Sequence, residues 1–386
     1  KHKNYLNKIS KEGFLALQNG NSPIALEKFE IILSNYPNNS KILNLTSICY
    51  CNLNNLKKAE EHISMAVASN PREIGFRVNW GNILLQMKKY VEAEKVYKNA
   101  LKINDKSAEL FYNLGIVCST QHKYKEAINY YDKSLRINKS NKFAFNNLAN
   151  AFKELGNYEK AKENFNKAIV VDSSFSEAKF NLGMIMLLIN PNKNAWEKYE
   201  FRKNINNKRK KQLDNLNIKK WDGSNLKNKC LIIYSEQGMG DNVLFARYIK
   251  FIKKENTRII FYTTKTLEFL FHRMTEIDEI IFNLQGIHEV DFFISIMSLP
   301  YIFRLNKKFP KPYNFLYVSD EDNKYWKNKI NQNKLYKIGL MWQGDSKYKD
   351  DYKRSIQLSK LDPILQIQGI EYISLQKDLG KEQIKK

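Results

Sequence analysis

Six times along the first half of this 386-residue chain a small residue returns after 34 positions: Gly13, Ser47, Gly81, Gly115, Ala149 and Gly183. Twelve residues beyond each comes an alanine: Ala25, Ala59, Ala93, Ala127, Ala161 and Ala195. Four residues further on stand Phe29, Ile63, Tyr97, Tyr131, Phe165 and Tyr199. Small residues let two antiparallel helices approach, and a large apolar side chain fills the gap beside them. One such pair cannot bury its apolar face alone, so the pairs must stack. Register at three positions makes a superhelical array of helical pairs the expected fold of residues 1–204.

The period and the small-residue spacing resemble tetratricopeptide repeats, across about residues 6–204. Asn79, Asn113, Asn147 and Asn181 recur two residues before the small position. On the first helix of each repeat this predicts a row along the concave face. A side-chain amide both donates and accepts, so such a row can pair with the backbone of an extended peptide. The array of O-GlcNAc transferase is similar in carrying an asparagine ladder for protein substrates, and that likeness implies a protein or peptide acceptor here. Asn is also common at this position in tetratricopeptide repeats at large, where it carries no ligand. Lys11 and Leu45 hold the equivalent places earlier, which confines any ladder to the middle of the array. The sixth repeat departs from the pattern, with Pro191 in its turn and a second helix rich in aromatics, Trp196, Tyr199 and Phe201. A terminal repeat must cap the array or dock a neighbour, and Trp196 and Tyr199 are assigned to docking.

Residues 205–228 are polar, basic and without clear period, and read as a linker ending near Trp221-Asp222-Gly223. From Lys229 short β-rich runs alternate with helical patterns. Strands are predicted at 230–234, 258–262, 280–282 and 291–294, and helices at 241–254 and 266–274. That alternation implies a parallel sheet flanked by helices over 229–334. A polar helix at 320–330 precedes a second set: a strand at 337–342, a helix at 359–366 and a strand at 370–375. One strand–helix–strand unit cannot fold as a sheet domain by itself, so 335–386 is read as the start of a second, truncated α/β half.

The strand Cys230–Tyr234 runs into Ser235-Glu236-Gln237-Gly238-Met239-Gly240-Asp241 and then a helix. A strand, a glycine turn and a helix opening on Asp form a ligand-binding corner of α/β sheets. The turn is neither the full dinucleotide fingerprint nor a phosphate loop. Asp241 has two readings. It is a helix N-cap, since Asp is favoured there, or a general base exposed at the carboxyl end of the strand. A carboxylate at a helix start is a weak base, which suffices where the attacked centre develops cationic character, as in glycosyl transfer.

Glu236 to Asp241, followed by Phe245-Ala246-Arg247-Tyr248, resembles a motif of bacterial tetratricopeptide-linked glycosyltransferases similar to the heptosyltransferase family. Three further segments agree: Trp196-x-x-Tyr199-Glu200-x-Arg202, Met297-Ser298-Leu299-Pro300, and Gly339 to Gly344 continuing to Arg354-Ser355. The resemblance implies a GT-B arrangement of two Rossmann-like halves with a nucleotide-sugar donor between them. It implies Asp241 as catalytic base, Gly238 and Gly240 as points of close backbone approach to the donor, and Trp342, Gly344, Arg354 and Ser355 as donor-binding residues. Arg354 would meet the diphosphate, where a guanidinium can hold phosphate oxygens bidentately. Without the resemblance, Arg354 reads equally as a surface arginine in a polar loop and Trp342 as a core aromatic at a strand end. The expected function is transfer of a sugar from a nucleotide sugar to a protein or glycan hydroxyl, the repeats recruiting the acceptor. The alternative is a repeat-based interaction scaffold with an inactive transferase-like domain.

The formal charge of +24 raises nucleic acid, an anionic membrane or phosphorylated ligands as partners. The basic residues are dispersed, however, and only Lys208-Arg209-Lys210-Lys211 forms a tight block. Dispersed lysines are solvated faces, which argues against nucleic acid. Four cysteines offer no paired metal spacing, and five scattered histidines form no cluster. These patterns predict a reducing, cytoplasmic setting and a metal-independent, cofactor-free transferase. No apolar stretch approaches a membrane span.

Overall fold

The computed structural model describes residues 2–204, 208–236, 238–253, 256–303, 316, 318–330, 334–346, 348 and 351–385. The chain divides into two compact units, Lys1–Phe315 and Leu316–Lys386. The division falls earlier than the boundary read from sequence at 334/335, and the repeats share a unit with the first sheet.

The six helical pairs are α1 (His2–Gln18) with α2 (Ser22–Asn35), α3 (Ser40–Asn52) with α4 (Leu56–Ser69), and α5 (Ile74–Gln86) with α6 (Tyr90–Leu101). Then follow α7 (Ala108–Thr120) with α8 (Tyr124–Ile137), α9 (Lys142–Glu154) with α10 (Tyr158–Val171), and α11 (Ser176–Ile189) with α12 (Lys193–Tyr199). Asparagine starts many of these helices. The side chains of Asn21, Asn39, Asn55, Asn141, Asn157 and Asn192 each accept an amide hydrogen bond from the first turn, the usual device for satisfying orphan N–H groups. The turn within each pair carries one left-handed residue, again every 34 positions: Gly20, Asn54, Lys88, His122 and Gly156. The sixth pair breaks this series, because Asn190 is extended with φ −153 and Pro191 follows.

The six alanines of the repeat are fully buried, and the small position opposite them explains why it is small. A Cβ at Gly81 would lie 2.3 Å from the Tyr97 ring, and one at Gly115 would lie 2.4 Å from the Tyr131 ring. Core clusters straddle neighbouring pairs. One runs from Val78 to Val117 and another from Ala149 to Ile185, so each pair completes the core of the next.

Beyond the repeats come α13 (Lys208–Asp214), β1 (Lys219–Lys220), β2 (Cys230–Tyr234), α14 (Met239–Ala246), β3 (Arg258–Tyr262), α15 (Lys265–Phe271), β4 (Glu279–Ile281), β5 (Phe292–Ser295) and α16 (Leu299–Ile302). The segment read as a linker, 205–228, therefore contributes a helix and an edge strand. The helix predicted over 241–254 is shorter, and the chain continues as a 3-10 turn at Ile249–Phe251. All sheet pairings are parallel, in the order β1-β5-β2-β3-β4. Every residue of β2 is buried, as a central parallel strand covered on both faces requires. From β2 the chain steps outward to β3 and β4, then β5 returns to the other flank of β2. The strand order thus reverses between β2 and β5.

The second unit holds α17 (Asp320–Ile330), β6 (Tyr336–Leu340), α18 (Asp362–Leu365) and β7 (Ile370–Ser374). Strands β6 and β7 pair in parallel. The helix predicted at 359–366 is instead a 3-10 turn, Leu358–Leu361, running into the four residues of α18. Pro363 accounts for the break: it lacks an N–H and suits only the start of a helix, which is where it stands.

Candidate functional site

The glycine corner sits at the carboxyl end of β2, beside the point where the strand order reverses. Gly238 caps α14 with φ −76 and ψ 165, a conformation open to any residue. Asp241 is the third residue of the helix and not its N-cap, which corrects the capping expectation. Its carboxylate accepts the Gly238 N–H at 3.2 Å, the returning half of a capping box. Gly238, Met239 and Gly240 are exposed, and a Cβ at Gly240 would meet nothing within 4 Å. The glycines therefore leave the turn bare and are not demanded by its backbone. Gln237 lies outside the described residues.

Asn242 holds the turn from inside. Buried against it, its Oδ1 accepts the Glu236 N–H at 3.1 Å, and its Nδ2 donates to the carbonyls of Glu236 at 3.1 Å and Gly238 at 2.7 Å. The Glu236 side chain points the other way, into a buried cluster. Arg202 Nη2 donates to Glu236 Oε2 at 3.0 Å, to Ser298 Oγ at 2.8 Å and to Ser295 Oγ at 3.3 Å, and the Ser295 hydroxyl also donates to Glu236 Oε2. Arg202 Nη1 donates to Glu200 Oε1 at 2.7 Å, and its guanidinium lies 4.7 Å from the Tyr199 ring centroid. Burial works against the charge, but Glu200 and Glu236 outweigh it and raise the Arg202 pKa. Burial pushes the Tyr199 phenol up to about 12, with Arg202 opposing and Asp241 and Glu236 adding.

Trp196 meets the Phe245 ring edge-on at 6.3 Å, and α12 packs on α16. The last repeat thus docks on the α/β sheet, as its aromatics led us to expect. Arg209, from the basic block, donates to the Ser235 carbonyl at 3.4 Å and lies 5.4 Å from the Tyr262 ring centroid. The block is therefore partly committed to the strand ends. Neither Asn242 nor the Arg202 cluster had been given a role from sequence. The available signal was an Asn beside the Asp of the turn, and the Arg that closes the segment Trp196-x-x-Tyr199-Glu200-x-Arg202.

In the second unit, Trp342 is buried, and its Nε1 donates to the Gly380 carbonyl at 3.2 Å, the bonding of a core aromatic. Gly344 N–H donates to Ser355 Oγ at 2.8 Å, whose hydroxyl donates to Asp351 at 2.7 Å. Arg354 Nε pairs with Asp351 at 2.9 Å on an exposed side chain. Ser355 and Arg354 hold the Asp351 carboxyl below its ordinary range. A Cβ at Gly344 would fall 2.3 Å from Asp351 Oδ1, so a larger residue here would displace the ends of the Asp351 and Arg354 side chains. Gly344, Arg354 and Ser355 thus gather around Asp351, while Trp342 is bonded elsewhere, to Gln376 and Gly380.

The asparagines of the repeats bond between pairs. Asn79 donates to Asn44 at 2.7 Å, Asn147 to Tyr112 at 3.2 Å and Asn181 to Asn146 at 3.2 Å, each reaching 35 residues back. Asn113 is buried, and the residue 35 before it is Val78, which offers no acceptor. One donor of each bonded amide thus already links neighbouring first helices.

Among the described residues no group of His, Cys, Asp or Glu could hold a metal ion, and no helix is long and apolar enough to cross a membrane. Burial pushes the Cys49 and Cys118 thiols up to about 11, which leaves them inert as nucleophiles.

Family models described as tetratricopeptide repeat match residues 11–74, 76–140 and 143–175. A Caenorhabditis elegans protein O-mannosyl-transferase is 32% identical over 75 residues, which is 19% of this chain and 11% of the relative. The chain thus spans about a tenth of the length of that curated relative. Among solved structures, the type IV pilus biogenesis factor PilW is similar with a TM-score of 0.47 and 19% identity, covering 52% of this chain and 92% of its own. MamA from Desulfovibrio magneticus gives 0.41 and 18%, covering 44% and 96%. A thermophilic tetratricopeptide protein of Thermus thermophilus gives 0.40 and 18%, covering 47% and 99%. The helical half of this chain is an array of tetratricopeptide repeats.

Proposed function

We propose that the chain is a protein-interaction scaffold in which the repeats bind a partner polypeptide beside an α/β corner. The stacked helical pairs carry this reading: the amides of Asn79, Asn147 and Asn181 recur half-buried on their first helices, with Asn113 buried at the equivalent place. In this reading the half-buried ones meet the backbone of the partner. Peptides selected from a random library on the full chain are expected to lose at least about tenfold in affinity to Asn147→Ala and Asn181→Ala, about one lost hydrogen bond each. Selected peptides that ignore both substitutions would move the binding surface elsewhere.

A second reading is favoured by one observation: an exposed glycine turn with a carboxylate, at the carboxyl ends of parallel strands where their order reverses. Ligands of open α/β sheets bind at such a point. In this reading the unit is the first Rossmann-like half of a GT-B glycosyltransferase, and Asp241 takes the proton of an acceptor hydroxyl as its oxygen attacks the anomeric carbon of a nucleotide sugar, whose bond to the phosphate oxygen breaks and releases the nucleotide. Gly238 and Gly240 admit the ligand to the backbone. Trp342 and Gly344 shape the donor loop of the second unit, and Arg354 with Ser355 meets the diphosphate, for which Arg354 must exchange Asp351 for a phosphate. The short match to a protein O-mannosyl-transferase agrees in reaction class and extends to little of that protein. Sugar release from nucleotide sugars by the full chain, compared with Asp241→Asn, tests it. Removal of the base is expected to cost about 10²–10⁴-fold, and equal rates would take Asp241 out of the mechanism.

A further inference from the structure

Arg202 is the most enclosed charged side chain among the described residues, 4% exposed. Burying a guanidinium is costly unless its hydrogens are answered. Here the arginine belongs to the end of the sixth repeat, while the groups that answer its Nη2 belong to the sheet: Glu236 beyond β2, Ser295 at the end of β5, and Ser298 in the turn after it. Those two strands flank the point of reversal. The connection continues inward. The backbone N–H and carbonyl of Glu236 are both bonded to the Asn242 side chain, Asn242 also fixes the Gly238 carbonyl, and Asp241 takes the Gly238 N–H.

We propose that Arg202 is a positioning residue for the glycine corner: it sets Asp241 through Glu236 and Asn242, and makes the corner's geometry conditional on the docked sixth repeat. A partner that strains the repeats would then reach the corner through Arg202, in addition to the packing of Trp196 on Phe245. The consequence for chemistry rests on the transferase reading, whereas the positioning does not.

Hydrogen exchange on the full chain separates the two. In Arg202→Met, exchange across 235–246 is expected to rise at least about tenfold, while 108–171 in the middle of the array stays unchanged. Arg202→Lys keeps a cation beside Glu236 but, as a single ammonium, cannot span to Ser295 and Ser298 together. It is expected to restore protection at 235–242 and to leave 295–299 open. An arginine that merely packs the interface would make the Lys and Met variants equally disruptive, and that result, or exchange at 235–246 within about twofold of the parent in Arg202→Met, overturns the proposal. Should Arg202→Met fail to fold, Glu236→Gln keeps the shape and removes the charge. It is expected to loosen 235–246, and unchanged protection there overturns the proposal as well. Thermal shift with UDP-, GDP- and ADP-sugars on the parent chain forms the second arm. No shift removes the transferase reading, and the exchange pattern still decides the role of Arg202.

Discussion

Lys88 stands in the left-handed region with φ 61 at the turn of the third repeat, where the first and fifth repeats use Gly20 and Gly156. A side chain in that conformation costs about 1–2 kcal/mol, part of which glycine returns through its freer unfolded chain. Lys88→Gly is therefore expected to raise the unfolding free energy by about 0.5–1 kcal/mol, and Gly156→Ala to lower it by a similar amount. Urea denaturation midpoints check both. The small position behaves oppositely. At Gly115 an added methyl meets the fully buried Tyr131 ring, and overpacking of about 1–3 kcal/mol outweighs the helix-propensity gain of about 1 kcal/mol. Gly115→Ala is expected to destabilise, and a neutral or stabilised variant would contradict the packing described for the repeats.

Among elements, the helical pairs were legible because each repeats the same three packing positions, so period and burial speak for one another. The strands β2 and β3 were equally plain as short, largely apolar runs. What escaped was set by partners far away in sequence. Residues 208–214 look like a solvated basic block, yet Leu213 is fully buried against the sheet. Asp241 looked like a cap because Asp prefers that place, and only the fold shows the glycine three residues before it as the cap. The role of Arg202 depends on Ser295 and Ser298, more than 90 residues on, and no local pattern announces it. An ion pair within the fifth repeat adds a pH dependence at this scale. Asp172 in the turn after α10 pairs with Lys142 of α9 at 2.5 Å, and Lys142 and Ser174 hold its carboxyl below the ordinary range. A depressed folded pKa stabilises the protein above the ordinary carboxyl range, and that contribution is lost as pH falls through the folded value. Thermal unfolding followed from pH 6 downward is expected to show a shallower acid decline in Lys142→Met than in the parent. Identical acid limbs would remove this pair from the pH response.

At the scale of the whole molecule, the chain joins two physical designs, a helical repeat array and a parallel sheet. In the proposed reading a quasi-one-dimensional array offers a long face for an extended polypeptide, and in the transferase reading the parallel sheet offers one corner for a nucleotide sugar. The sixth repeat ties them by packing Trp196 on Phe245 and by lending Arg202 to the strand ends. Binding to random DNA through the dispersed lysines is expected to vanish at moderate salt, where exposed charges are screened. The most direct measurement is hydrogen exchange of the full chain with and without a saturating peptide selected from a random library. Such a peptide is expected to slow exchange along the first helices of the array, Ala108–Thr120, Lys142–Glu154 and Ser176–Ile189, by at least about threefold. Unchanged exchange in all three would contradict binding of a polypeptide by the repeats.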